Sequence, residues 1–261
     1  MRSFYAIYRK ELGHYFVSPI AYVVIAAFVL ITAILFSVDL DFELKQAMQA
    51  QMQGMQYGAP SNFDVPSAVM RAFFGLFSTL VLFLTPMLTM GVYADERKRG
   101  TMELLMTSPL TEAQIVLGKF AASLTLFAIM LAPTLTYMLF LFHHSDPAPP
   151  WRMLLGGYAG ILLLGGSLLA LGSFISSLTE NQIIAAVLTF LAILLIWLLN
   201  IGQSLGGVLG TTLGYLSLIN HYEDFTRGIV DTSSLVYYFS FMAFFIFLTV
   251  RSVDSMRWRR A

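Results

Sequence analysis

Residues 95–119 read D-E-R-K-R-G-T-M-E-L-L-M-T-S-P-L-T-E-A-Q-I-V-L-G-K and hold eight of the 30 charged residues in a chain of 261. The flanking sequence has none: 72–94 and 120–145 are charge-free, as are 12–38, 153–179, 181–222 and 232–250. Each of the six runs is long enough to cross a bilayer, which takes about 20 mostly apolar residues in a helix. A seventh run, 46–63, is dense in Gln, Gly and Pro and fails on hydropathy. With 57% apolar and 11% charged residues, against about 25% charged in ordinary soluble domains, the chain is not a soluble enzyme. A membrane β-barrel would alternate in segments of about ten residues. Long unbroken apolar runs instead predict an all-α membrane protein, one transmembrane unit over 1–261, with spans at 19–38, 73–93, 120–142, 153–174, 183–201 and 235–250.

Working outward from the loop, the basic residues fall into unequal sets. Arg2, Arg9, Lys10, Arg97, Lys98, Arg99, Lys119, Arg251, Arg257, Arg259 and Arg260 share one side, and Lys45, Arg71, Arg152 and Arg227 the other. Lys and Arg accumulate in cytoplasmic loops, so both termini and 94–119 are expected in the cytoplasm, with 39–71 and 202–234 extracytoplasmic. Residues 1–18 carry Phe4, Tyr8, Leu12 and Tyr15 at helical spacing, an amphipathic helix suited to the interface. Ser18-Pro19 separates it from the first span, because proline disfavours helical geometry in the residue before it. The Gly-rich stretch 202–220 is expected as a re-entrant or interfacial element. No short apolar core with a small-residue cleavage site opens the sequence, so no removable signal peptide is expected. A net charge of zero suggests no nucleic-acid partner. The absence of cysteine removes disulfides and thiolate chemistry.

Within 95–119, Gly100-Thr101 reads as a helix start, with Thr101 as the cap and Glu103 at the positive end of the helix dipole. Pro109 forbids continuation. A second helix starts at Thr111, where Thr-Glu-Ala-Gln matches a capping box closed by Gln114. Between them Met102, Leu104, Leu105 and Met106 place apolar side chains on a charged surface, either packed back on the bundle or filling a groove in a partner.

The run E-R-K-R-G-T-M-E-L-L-M-T-S-P-L-T-E-A-Q-I-V-L-G-K, 96–119, resembles the cytoplasmic loop of ABC-2 permeases, the membrane subunits of bacterial ABC exporters. The shared pattern is an acidic residue with a basic cluster, Gly-Thr-x-Glu-x-Leu, Ser-Pro, and Gly-Lys before a span. Within that family it is most similar to gliding-motility-type permeases, with nitrous-oxide-reductase maturation permeases as near relatives. The resemblance implies a coupling helix at 100–109 seated in a separate ATPase subunit, which would bind ATP and its Mg. Glu96, Arg97, Lys98 and Arg99 would form a charged hinge, Gly100, Thr101, Glu103, Leu104, Leu105 and Pro109 the docking helix, and Gly118-Lys119 the return into the membrane. It also implies a second permease copy or a homologous partner, an extracytoplasmic auxiliary subunit in the gliding-type branch, and the bacterial inner membrane.

No G-x-x-x-x-G-K-[ST] segment occurs, so no P-loop is expected here. The central turns of the spans lack ionisable residues, which ion-coupled carriers commonly place there. An externally driven permease therefore stands ahead of a secondary transporter or channel; a non-transporting scaffold is the other class. Pro86 and Pro133 are expected to kink the second and third spans. Thr85, Thr89, Thr134 and Thr136 beside them are candidates for re-satisfying backbone groups or lining a path. Gly156, Gly160, Gly165 and Gly166 in the fourth span suit close packing, within the chain or at a subunit seam. Leu44, Met48, Met52 and Met55 align on one helical face. Thioethers suit Cu(I), but an interfacial amphipathic helix explains the stripe without a metal.

Overall fold

The computed structural model describes residues 2–57, 63–103, 110–202 and 206–258. Among these residues every regular element is helical: α1 Arg2–Val17, α2 Pro19–Tyr57, α3 Val65–Thr89, α4 Ala94–Lys98, α5 Glu112–Leu131, α6 Leu135–His144, α7 Trp151–Leu178, α8 Gln182–Gly202, α9 Gly207–Leu216, α10 Leu218–Thr226 and α11 Thr232–Trp258. Six helical stretches are long and apolar enough to cross a membrane, and each contains one expected span.

Local chemistry accounts for most boundaries. Ser18 interrupts α1 and α2 ahead of Pro19. Asp64 caps α3, accepting from Ser67 N at 3.3 Å, with a proline in the first helical positions. Thr111 and Gln114 form the reciprocal capping box that opens α5. Pro133 lies in a 3-10 turn, Ala132–Thr134, that separates α5 from α6. Pro86, by contrast, does not interrupt α3, which runs on to Thr89.

The first span departs from expectation. Its helix does not stop near Val38 before a separate amphipathic segment; α2 continues for 39 residues, about 58 Å at 1.5 Å per residue. No glycine or proline lies between Pro19 and Gly54, so nothing local breaks the helix when its composition turns polar at Asp39. Met48, Met52 and Met55 stand exposed on this extension. Within 202–220, Gly202 ends α8, Gly207–Leu216 form α9 and Leu218 opens α10, and a Cβ added at Gly202 would lie 2.8 Å from Leu213 on α9.

α7 is the hub, with 78% of its span window buried. Its glycines are the reason. Gly157 lies under the Phe74 ring and Gly172 under Thr89, both on α3; Gly165 lies under Phe127 on α5. A Cβ at Gly156 would sit 2.6 Å from the Phe225 carbonyl oxygen, one at Gly160 2.6 Å from Phe225 Cβ on α10, and one at Gly166 3.1 Å from Met242 on α11. The fourth-span glycines therefore serve packing inside the chain, since small residues let backbones approach closely. Beside them, Phe28, Phe36, Phe73, Phe77 and Tyr137 join α2, α3 and α6 through ring contacts with centroids 5.2 to 6.3 Å apart.

Candidate functional site

The charged loop grows out of the end of α3. Beyond Thr89 the chain turns through 90–93 into α4, and one hydroxyl from the hub holds that turn. Ser176 Oγ accepts from Tyr93 N and Ala94 N, both at 3.2 Å, and donates to Met90 O at 3.1 Å. One turn later Arg97 reaches the same corner of α7. Its guanidinium donates to Ser177 O at 2.8 Å and pairs with Glu180 at 3.0 Å, while Ser177 Oγ donates to Ser252 on α11. Arg99 folds back on Asp95 at 2.9 Å. Gly100, at φ +70°, ends α4 in the left-handed region that glycine adopts without steric cost.

On the other side of the turn lies a buried ion network. Lys119, whose side chain is 1% exposed, places Nζ 3.1 Å from Glu11 Oε1 on α1 and 3.0 Å from Glu96 Oε2 on α4. It also donates to Val92 O at 3.1 Å. Glu96 Oε2 has no aligned hydrogen-bond donor, so its pairing with Lys119 is coulombic. Lys10, at the surface, adds longer contacts of 3.5 Å to Glu11 and 3.6 Å to Glu96. A buried lysine needs such company, because an unpaired interior charge is far costlier than a compensated one.

α1 is fastened along α5 by the same device of close approach and hydroxyls. A Cβ at Gly118 would lie 2.8 Å from Ile7 Cγ2, and Tyr8 donates to Thr125 Oγ1 at 3.2 Å. Tyr15 and Ser123 share a hydrogen bond of 3.2 Å. Burial pushes the Tyr15 hydroxyl up to about 12, so it keeps its proton at any physiological pH.

The structure sorts the expected site residues. Glu96, Arg97, Arg99 and Lys119 come together at the junction of α1, α3, α4, α5 and α7. Lys119 and Gly118 face inward and present nothing to a partner; Lys98, Thr101 and Glu103 are exposed. The Thr101 hydroxyl donates to Glu96 O at 3.3 Å, which ties it to α4; the amides it would cap lie largely outside the described residues. Met102 packs back on the bundle, buried with Val92, Tyr93, Val116 and Val253. Leu104, Leu105 and Pro109 lie outside the described residues, as does Met106. Thr85, Thr89 and Thr134 are buried and, like the exposed Thr136, donate to a carbonyl of their own helical segment: Val81, Thr85, Leu131 and Pro133 respectively. None of these is the carbonyl that Pro86 or Pro133 leaves without its i+4 donor, so these bonds do not repair the proline positions.

Sequence reasoning missed Glu11, Ser176, Ser177 and Glu180. Only Glu11 had a signal: Lys119 opens a 26-residue charge-free run, where a lysine needs an acidic partner. Among the described residues no group of three or more His, Cys, Asp or Glu is placed to hold a metal ion.

A cleft of about 450 Å³ opens beside the ion network, between α1, the start of α2, the end of α3, and α5. Its lining passes from Lys10, His14, Glu96 and Arg99 to Val24, Leu88 and Met130, charged at one end and apolar at the other.

No curated protein matches the chain. The family model described as ABC-2 family transporter protein matches residues 5–253, from the helix that carries Glu11 through every candidate span to Val253 beside Met102. With six helices long and apolar enough to span and with residues 93–102 held against the bundle, the chain is a multi-pass membrane protein and belongs to the ABC-2 transporter family.

Proposed function

We propose that this chain is the permease subunit of an ATP-driven ABC-2 exporter in the bacterial inner membrane, with both termini cytoplasmic. A separate ATPase subunit holds ATP and Mg and seats on residues 100–109. Closure of the ATPase pushes this segment, and the push enters the bundle through α4 and α5. The observation that carries this reading is the attachment of α4. It is tied to α1 and α5 through Lys119 and to α7 through Ser176 and Arg97, so a load on the loop reaches helices on both sides of it. A surface loop that merely obeyed the positive-inside rule needs no such ties.

Glu103, Leu104 and Leu105 form the docking surface in this reading, and the complex holds a second permease, identical or homologous. The gliding-type branch adds an extracytoplasmic auxiliary subunit, for which the exposed 39-residue α2 is the natural contact. The test is co-purification with a co-expressed candidate ATPase subunit, followed by ATP turnover with Glu103→Lys. Loss of stimulated turnover, with the variant still folded, supports coupling. If no ATPase is bound, or Glu103→Lys turns over ATP like the parent, the chain is a non-transporting scaffold or a carrier with another energy source.

A further inference from the structure

We propose that the cleft beside the ion network binds one glycerophospholipid, its phosphate at Lys10 and Arg99 and one acyl chain in the apolar depth. The cleft volume of about 450 Å³ falls within the range of ligand pockets, roughly 300–1,000 Å³. Its polarity is graded along α5, charged at Lys119 and apolar at Leu126 and Met130. Lys10 and Arg99 form the rim with side chains 59% and 65% exposed. The acids that also line it are less accessible and lie within the same ion pairs: Glu11 and Glu96, at 12% and 16% exposure, meet Lys119 and Lys10, and Asp95, at 22%, meets Arg99. The lining as a whole is balanced, and its most accessible charges are the two cations, Lys10 and Arg99.

Below the rim the lining is apolar: Val24 and Ile25 on α2, Leu88 on α3, Leu126 and Met130 on α5. From Lys119 to Met130 is eleven residues along one helix, about 16 Å, or half of a hydrocarbon core about 30 Å thick. The cleft thus spans one leaflet, the one whose headgroups lie level with Lys10 and Arg99. Met87, on the lining and 55% exposed, marks a side open toward the surrounding lipid. A cationic rim above a leaflet-deep apolar slot with a lateral opening selects an amphiphile that carries a phosphate and a chain. A free phosphate would leave the slot unfilled, and a neutral lipid would leave the rim unmatched.

The test is native mass spectrometry of the full chain in detergent with added phosphatidylglycerol, diacylglycerol of the same chains, or glycerol phosphate. Phosphatidylglycerol is expected to give a one-to-one adduct that survives activation, with at least tenfold less from diacylglycerol and no competition from glycerol phosphate. Lys10→Ala with Arg99→Ala, and separately Val24→Trp, are expected to reduce the adduct tenfold. Equal retention of diacylglycerol, or displacement by glycerol phosphate, overturns the assignment. Because Val24→Trp could disturb folding, a phosphatidylglycerol with a photoactivatable chain is mapped on the unaltered protein. Crosslinks concentrated at 21–25, 87–90 and 126–130 support the site; crosslinks spread equally over the exposed face of α8 overturn it.

Discussion

Replacing Lys119 with methionine keeps the length of the side chain and removes its charge. In the protein, Nζ meets Glu11 at 3.1 Å, Glu96 at 3.0 Å and Val92 O at 3.1 Å, with the side chain 1% exposed. The substitution leaves two carboxylates facing each other across the vacated position. Breaking a buried pair by removing one partner costs about 3–5 kcal/mol. Here the carboxylates keep 12% and 16% exposure and Lys10 remains at 3.5 and 3.6 Å, which lowers the expectation to about 2–4 kcal/mol. For a chain of this size that corresponds to a fall of roughly 5–12 °C in the apparent unfolding midpoint. The assay is thermal unfolding in detergent, with elution and circular dichroism confirming a folded start. Adding Glu11→Gln and Glu96→Gln removes the stranded charges, so the triple variant should regain part of the loss. A Lys119→Met midpoint within about 2 °C of the parent refutes the reasoning. So does a Glu11→Gln effect that is the same with and without Lys119, because residues in one network must be coupled.

Three other outcomes are expected. Gly156→Ala places a Cβ 2.6 Å from the Phe225 carbonyl oxygen, a backbone atom that cannot rotate aside. It should therefore cost at least about 1–3 kcal/mol, whereas Gly13→Ala, with nothing within 4 Å, should gain about 0.5–1 kcal/mol; thermal midpoints of the two variants should move in opposite directions. Ser176→Ala leaves the buried Tyr93 and Ala94 amides without their acceptor, a loss of about 1–3 kcal/mol. Amide exchange should accelerate at 93–94 but not along 115–122, and uniform protection would show that the hydroxyl does not anchor the turn. Because the chain has no cysteine, Gln51→Cys and Ser255→Cys report orientation without background. An impermeant maleimide should label position 51 in intact cells and position 255 only after permeabilisation; the opposite result inverts the proposed topology.

What the sequence made legible was local. The six spans follow from charge-free runs, and the start of α5 follows from Thr111 and Gln114, three residues apart, each side chain accepting from the other's backbone N–H. The length of α2 was obscured because hydropathy ends at Asp39, while helix formation depends on the lack of any breaker before Gly54. The ion network was out of reach for a different reason. Glu11 and Lys119 are 108 positions apart, and their meeting depends on Gly118 letting α1 lie close against α5. The fourth-span glycines announced close packing but not the partner, since a missing side chain says nothing about which ring will cover it.

The two sets of ties on the loop constrain how a bundle of this kind can respond to force. Ser176 and Arg97 fix α4 to the end of α7, and Lys119 fixes it to α1 and α5, so these helices have to follow the loop together. α7 is itself packed without spare volume against α3, α5, α10 and α11 through its glycines. Interiors this dense transmit displacement rather than absorb it. The apolar spans of α2 and α8, in contrast, are only 17% buried each, and neither carries a member of the Lys119 ion network. On the proposed function, movement driven by the ATPase would therefore carry α3, α5 and α7 as a block, and the rearrangement would fall at the borders of α2 and α8. The proposed lipid cleft lies on the first of these borders, with Val24 and Ile25 on one wall and Leu88 and Met130 on the other. A lipid held there would be sheared by any displacement of the block against α2, so its occupancy should report the state of the cycle as well as the composition of the leaflet.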